Sequence, residues 1–387
     1  MKITSIRATW LHVPIPEAQQ HVSDFGRTRS FDSVLVRVET DAGIVGHGEA
    51  KEEVGSFGNY RGLCALINER MAPLLVGENP RDITRLWERM YNGSRDHYAL
   101  DLGRVFPILG RRGVTIAAIG GIDMALWDIL GQSLGVPVWQ LLGGRRATSM
   151  AAYASGGWAG ADRIGEQLRG YVERGGFKAV KMRVGIMDGT PDVSAARVRA
   201  AREGLGPDIA IMCDAHGTFS VPEAKRFCRL VEDCDVAWFE EPVTADDRRG
   251  YAEVRAGTSI AIAAGESEYT RFDFLELAEQ RCVDIVQPDL AICGGITEAQ
   301  RIAALAAAYN LRLAPHLWTG ALAFAAGLHL AASAANGFIV EYSLGANPLL
   351  HELVEESFPV VGGFVEIPDR PGLGITVRDD FVAKYAV

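Results

Sequence analysis

The sequence predicts an α/β protein built around a (β/α) barrel, with a second, smaller part ahead of it. Three observations carry that reading. Asp214, Glu240 and Glu266 recur every 26 residues, each closing a short apolar run. A strand-plus-helix unit has about this length, so successive strand ends deliver three carboxylates to one rim of a parallel barrel. From about residue 149 onward, short β-rich runs alternate with amphipathic helical stretches. The 387 residues exceed a typical barrel of roughly 250, which leaves room for one further domain or large insertions.

Taken in order, Met1 to Trp10 alternates like a strand and lacks the charged end, long apolar run and cleavage site of a signal peptide. Ser33 to Glu39 and Gly43 to Glu49 read as paired strands joined by a Gly-bearing turn, so Gly43, Gly46 and Gly48 belong to a hairpin rather than to a nucleotide loop. Ile122, Ala125, Leu126 and Ile129 keep the spacing of one buried helical face, which Gly135 and Pro137 end. Eight strands follow: Met150–Tyr153, Phe177–Arg183, Ile209–Cys213, Val236–Phe239, Ile260–Ala264, Asp284–Gln287, Leu311–Ala314 and Phe338–Glu341. Helical patterns such as Ser220 to Val231 and Thr297 to Ala308 lie between them. A doubly wound open sheet is the competing arrangement, but it needs a Gly-rich phosphate turn after the first strand, and none is present. A last strand-like run, Gly363 to Pro368, is expected to return to the N-terminal domain.

A hydrophobic content of 48% supports a buried core. A net charge of −10 with no basic stripe argues against nucleic-acid or anionic-membrane partners. No uninterrupted apolar stretch reaches the roughly 20 residues of a membrane helix, so a cytoplasmic protein is expected. The six cysteines form no C-x-x-C pair and read as reduced, buried thiols without a role.

The chemistry sits at the strand ends. Asp214, Glu240 and Glu266 offer only carboxylate oxygen, which suits a hard cation such as Mg²⁺. Residues two apart on a strand share a face, so Lys181 and Arg183 point together, as do Asp214 and His216. Strands six to eight add Asp289, His316 and Glu341. Neighbouring strand ends lie about 5 Å apart, which lets Asp289 orient His316 and raise its basicity. Polar loops around residues 16–30 and 50–60, carrying Gln19, Gln20, His21, Ser23, Asp24, Arg27, Arg29, Lys51 and Glu52, are expected lids for a hydroxyl-rich substrate.

This set resembles the mandelate racemase branch of the enolase superfamily. The resemblance covers nearly the whole chain, through Ile122-Asp-Met-Ala-Leu-Trp-Asp128, Leu141-Leu-Gly-Gly144, Phe239-Glu-Glu-Pro242, Ala264-Gly-Glu266, Gln287-Pro-Asp289 and Pro371-Gly-Leu-Gly374. It implies a modified (β/α)7β TIM-like barrel over residues 126–354 and an α+β capping domain over 1–125, completed by about 355–387. It also implies one Mg²⁺ per subunit on Asp214, Glu240 and Glu266, abstraction of the proton α to a carboxylate, and a homo-oligomer. The family's K-x-K motif is here Lys181-Met-Arg183. Guanidinium, with a pKa above about 12, is a poor base, which weighs against a racemase or epimerase needing a base on each face.

His216, two residues after the first ligand, resembles the acid of sugar-acid dehydratases similar to galactonate dehydratase. The expected activity is dehydration of an aldonic or aldaric acid to a 2-keto-3-deoxy acid. In this reading His316 is the base, Asp289 its partner and His216 the acid. Lys181 and Glu341 stabilise the ene-diolate, and Arg183, His21 and Arg27 bind substrate. A lactone cycloisomerase of the same branch and a non-catalytic metal-binding relative remain as alternatives.

Overall fold

The structure is a computed structural model that describes residues 1–92 and 110–387. Its N-terminal part is a three-stranded antiparallel sheet in the order Ile3–Pro14, Ser30–Thr40, Val45–Ala50. Helices Ile83–Asn92 and Val114–Leu134 pack on it and close an apolar core that includes Val34, Val36, Leu86, Trp87 and Ile122. The hairpin glycines allow the close approach of the second helix. A Cβ on Gly46 would stand 2.2 Å from the Ala125 carbonyl oxygen, and one on Gly48 would stand 2.0 Å from that of Gly121.

The barrel strands are Ser149–Gly156, Ala179–Arg183, Ala210–Asp214, Val236–Glu240, Ala261–Ala264, Ile285–Val286, Arg312–Leu313 and Val340–Ser343. Neighbours pair in parallel from the first to the seventh, and the eighth pairs in parallel with the first. A parallel bridge between Leu313 and Gly337 closes the ring. A helix follows each of the first seven strands. Inside, Tyr153, Ala179, Met212, Trp238, Ala263, Ile285, Ala314 and Ile339 form one apolar cluster, a single residue from each strand or the position beside it. Alternation puts the residues two further on in the next layer up: Ser155, Lys181, Asp214, Glu240, Gly265, Gln287, His316 and Glu341. The polar ring at the strands' C-terminal ends is thus a register consequence of the apolar one beneath it.

Two expectations need correction. The strand Phe364–Glu366 does not return to the N-terminal sheet; it pairs antiparallel with Ser149–Ala151 at the start of the first barrel strand. The edge there is unpaired and the run alternates, so the nearest open ladder takes it. The last helix, Asp379–Tyr385, does reach back, with Val387 N–H just beyond it donating to the Trp10 carbonyl at 3.0 Å. Second, Val114–Leu134 is long and apolar enough to span a membrane, yet 78% of its apolar 18-residue window is buried inside the protein.

That helix straddles the expected boundary at residue 125, and its two acids tie the parts together. Asp123 accepts from the Thr297 N–H (2.9 Å) and hydroxyl (2.6 Å) at the start of the helix Gly295–Ala308. Asp128 accepts from His47 N–H of the hairpin (3.0 Å) and Leu373 N–H of the tail (2.9 Å). Glu49 accepts from Gly320 and Ala323 N–H, satisfying the open first turn of the helix Ala321–Ser333. Asp128→Ala leaves two buried donors unpaired and should lower stability by about 2–4 kcal/mol, read as a reduced urea midpoint at unchanged m-value. An unchanged midpoint would remove Asp128 from the interdomain clamp.

Candidate active site

The polar ring opens under two lids and the loops after strands one and seven. The cavity there is lined by Ser155, Lys181, Arg183, Asp214, His216, Glu266, His316 and Glu341 on the barrel side. Lys181, Asp214, Glu240, His316 and Glu341 are all buried, so their charges have to be balanced by one another.

Lys181 is the hub of that balance. Its ammonium lies 3.1 Å from Glu341 and 3.5 Å from Asp214, and it forms a very short contact with Glu240. Burial opposes its charge, but Glu240 and Glu341 outweigh that and hold the lysine well above its usual pKa. It is therefore a fixed cation rather than a base. Glu240 is turned toward Lys181, and its other oxygen accepts from the Trp238 indole N–H at 3.0 Å. Burial raises its pKa to about 7.

On one side of this floor stands His316. Its Nδ1 pairs with Asp289 at 2.8 Å, and Asp289 is itself fixed by Ala291 N–H at 2.8 Å. Its Nε2 faces Glu266 at 3.5 Å and Glu341 at 3.8 Å. Burial favours the neutral ring, but Glu266, Glu341 and Asp289 overcome it and raise the pKa to about 9. On the other side His216 sits in a left-handed turn (φ 43°), its Nε2 3.1 Å from Asp214. Burial and the Arg183 charge lower its pKa.

Ligand atoms of Asp214, His216 and Glu266 all lie within 4.8 Å of one another. Glu240 is level with Asp214 in the strand register. Two carboxylates and an imidazole thus lie close enough to share one ion, while Glu240, the third expected ligand, is turned to Lys181 and Trp238 and stands outside that group; the carboxylate oxygens fit a hard divalent cation.

Arg183 does not stand open to the cavity. Its guanidinium lies 3.2 Å from Asp214 and forms a very short ion pair with Asp24, which the first lid brings down. Asp24 also approaches His216 Nδ1 at 3.6 Å, and the neighbouring Phe25 stacks on that imidazole at 4.6 Å. Of the expected lid residues, His21 and Ser23 line the cavity. His21 stacks on Trp158 at 4.2 Å, and burial and Arg183 lower its pKa to about 4, so it is neutral. Lys51 is buried and donates to the Gly55 and Trp318 carbonyls at 2.7 and 3.1 Å, latching the second lid to the loop after His316. Arg27 is a correction: it is exposed on the strand Gly26–Arg27 and does not line the cavity. The lid strand is only two residues long, and its outward register turns that side chain to solvent.

Sequence reasoning missed the aromatic lining, Phe25, Phe57, Trp158 and Trp318. A sequence signal existed, since all four lie in the lids or just after strand ends, but their packing depends on how distant loops meet. It also missed Gln287, whose side-chain amide is buried in the ring without a hydrogen-bond partner among the described residues.

The comparisons with known proteins agree with this architecture. Residues 163–381 match the model described as "Enolase C-terminal domain-like", and residues 5–143 that described as "Mandelate racemase / muconate lactonizing enzyme, N-terminal domain". The chain is 34% identical to D-galactarolactone cycloisomerase of Agrobacterium fabrum over 100% of its own length and 99% of the relative's. It is 37% identical to D-galactonate dehydratase of Ralstonia nicotianae over 91% and 90%. Among solved structures, 3,6-anhydro-D-galactonate cycloisomerase from Zobellia galactanivorans superposes with a TM-score of 0.85 at 32% identity, covering 100% of both chains. Both parts of the molecule are therefore accounted for by one lineage, and the chain belongs to the enolase superfamily, with the two domains of its mandelate racemase / muconate lactonizing enzyme group.

Proposed function

We propose that this protein is a Mg²⁺-dependent sugar-acid dehydratase, which removes the proton α to a carboxylate and eliminates the 3-hydroxyl to give a 2-keto-3-deoxy acid. The observation that carries the reading is the pair of unlike histidines flanking one carboxylate floor. His316 is backed by Asp289 at 2.8 Å, while His216 stands across the floor beside Arg183, where the family's second lysine would be. The relatives named for dehydration at 37% identity support the same choice.

Asp214, Glu240 and Glu266 would hold the cation, with His216 close enough to share the site. When bound, the cation supplies positive charge opposite the substrate carboxylate and the developing ene-diolate. Lys181 adds a fixed ammonium to the same anion, and Glu341 keeps that ammonium in place. His316 takes the α proton at Nε2, the nitrogen that Asp289 leaves free. His216, whose lowered pKa makes it the readier of the two to release a proton, must enter the step protonated and delivers that proton to the departing hydroxyl oxygen, so that water leaves as the C2–C3 double bond forms. The resulting enol tautomerises to the keto acid. The lids exclude bulk water through Phe25, Trp158 and Trp318.

A second reading is a lactone or anhydro-ring cycloisomerase. It is favoured by the ring-lined roof, where His21, Trp158 and Trp318 meet with centroids 4.2 to 6.1 Å apart, a surface suited to the flat face of a cyclic substrate. The chemistry differs only in the leaving group. A ring oxygen departs and stays attached, so the product is an isomer of the substrate, whereas dehydration loses one water by mass.

Four outcomes are expected. Glu240→Gln should abolish turnover and weaken Mg²⁺ binding measured by calorimetry, since one anionic ligand is lost from a hard-cation site; full turnover in excess chelator would sink the assignment. His316→Asn should lower both α-proton exchange with D₂O and keto-acid formation by roughly 10²–10⁴. His216→Asn should spare exchange while dehydration falls, and the reverse pattern would put the base on the other face. Finally, the carboxylates that raise His316 to about 9 are partly neutralised by a cation. Its pKa, followed by imidazole NMR, should therefore fall on Mg²⁺ loading, making the ring neutral nearer pH 7. A value that stays at the metal-free level would separate His316 electrostatically from the metal site.

A further inference from the structure

We propose that Asp24 is the residue that restricts this site to acids carrying a single carboxylate. The inference rests on the sugar-acid reading above and narrows it from aldonic and aldaric acids to the aldonic type, open or cyclic.

A diacid brings two charges into a closed cavity. One carboxylate belongs on the floor, beside Lys181 and the cation site. The other, carried at the far end of the chain, comes to lie under the lids and needs a cation there, because a carboxylate buried without one is strongly disfavoured. Among the described lining residues Arg183 is the sole guanidinium, and it stands on the lid side of Lys181, one alternation further up the same strand. Its fork of donors would be the natural seat for a second carboxylate.

That seat is taken. Asp24 pairs with Arg183 from the lid while Asp214 holds it from below at 3.2 Å. The Asp24 side chain is 5% exposed and that of Arg183 11%, so the pair is largely sheltered from screening water and salt. The lid thus sets a carboxylate against the guanidinium and brings in a negative charge of its own. A second substrate carboxylate seeking Arg183 would come up against that charge just behind the lining, beside Trp158 and Trp318 and beneath a rim of Phe25 and Phe57, where repulsion between like charges is felt more strongly than in bulk water. A neutral hydroxylated or cyclic end meets no such penalty. It finds the hydroxyls of Ser23, Thr28 and Ser56 and the faces of the aromatic rings. The arrangement selects by repelling the wrong substrate as well as by fitting the right one.

The test uses the Mg²⁺-loaded protein carrying His316→Asn, so that ligands bind without turnover. Matched six-carbon aldonate and aldarate pairs, together with the corresponding lactones, are titrated by calorimetry. At least one aldonate or lactone should bind about tenfold or more tightly than its aldarate partner, the scale expected when like charges are juxtaposed. Adding Asp24→Asn, which keeps the size and removes the charge, should close that gap by about tenfold through tighter aldarate binding. Asp24→Glu should keep the preference. Asp24→Ser provides a second neutral variant should the amide disturb the lid, with near-UV circular dichroism checking the fold. Equal binding of mono- and diacids by the protein with native Asp24, or an unchanged ratio in both neutral variants, would overturn the proposal while leaving the dehydratase reading intact. Failure of every sugar acid and lactone to bind would overturn the sugar-acid reading itself, and this inference with it.

Discussion

The structure depends on one buried ammonium. Lys181 lies within ion-pair distance of Asp214, Glu240 and Glu341, and without it the inner ring would crowd several carboxylates into a space that water does not reach. Charges buried in this way are tolerated only when opposite charges and hydrogen bonds meet them. The rest of the ring follows the same rule: Trp238 donates to Glu240, Leu317 N–H donates to Glu341, and His216 and Arg183 crowd Asp214. The net excess of acid that remains suits the site to a cation, and in the proposed reading a substrate anion would then sit beside a floor that is itself rich in carboxylate.

The same balance explains how two histidines a short distance apart behave differently. His316 looks at Glu266, Glu341 and Asp289 and holds its proton to about 9, whereas His216 lies beside the Arg183 guanidinium and gives its proton up more easily. Neither behaviour belongs to imidazole as such. Each is set by which strand end supplies the neighbour, so the barrel register assigns the proton affinities along with the positions.

Much of this was legible in the sequence because barrel strands are periodic. Alternation alone puts Lys181 with Arg183 and Asp214 with His216, and the adjacency of strands six and seven pairs Asp289 with His316. What lay in loops was not legible. Arg27 and Asp24 are three residues apart in one lid, yet one faces solvent and the other enters the site, and no period distinguishes them. Lys51, one of the polar residues of the expected lids, fixes two carbonyls. Phe364–Glu366 alternates like any edge strand, and its partner is decided by which ladder is open. The lid's polarity was misjudged for a related reason. Arg27 and Arg29 are exposed, while Phe25 and Phe57, neither of them a polar lid residue, line the cavity at its exposed rim.

Glu49 closes the first turn of a helix whose capping residue, Gly320, lies 271 residues later in the chain. On the ribosome, the N-terminal hairpin is therefore made long before the backbone amides it is built to receive. Until Gly320 and Ala323 emerge, the Glu49 carboxylate has only the Ser33 hydroxyl and solvent, and the apolar face that meets the barrel has nothing to cover it. Contacts of such sequence separation close late and slowly. The nascent chain must keep an unfinished domain soluble while the barrel is synthesised, which makes early translation the period of greatest aggregation risk for this molecule.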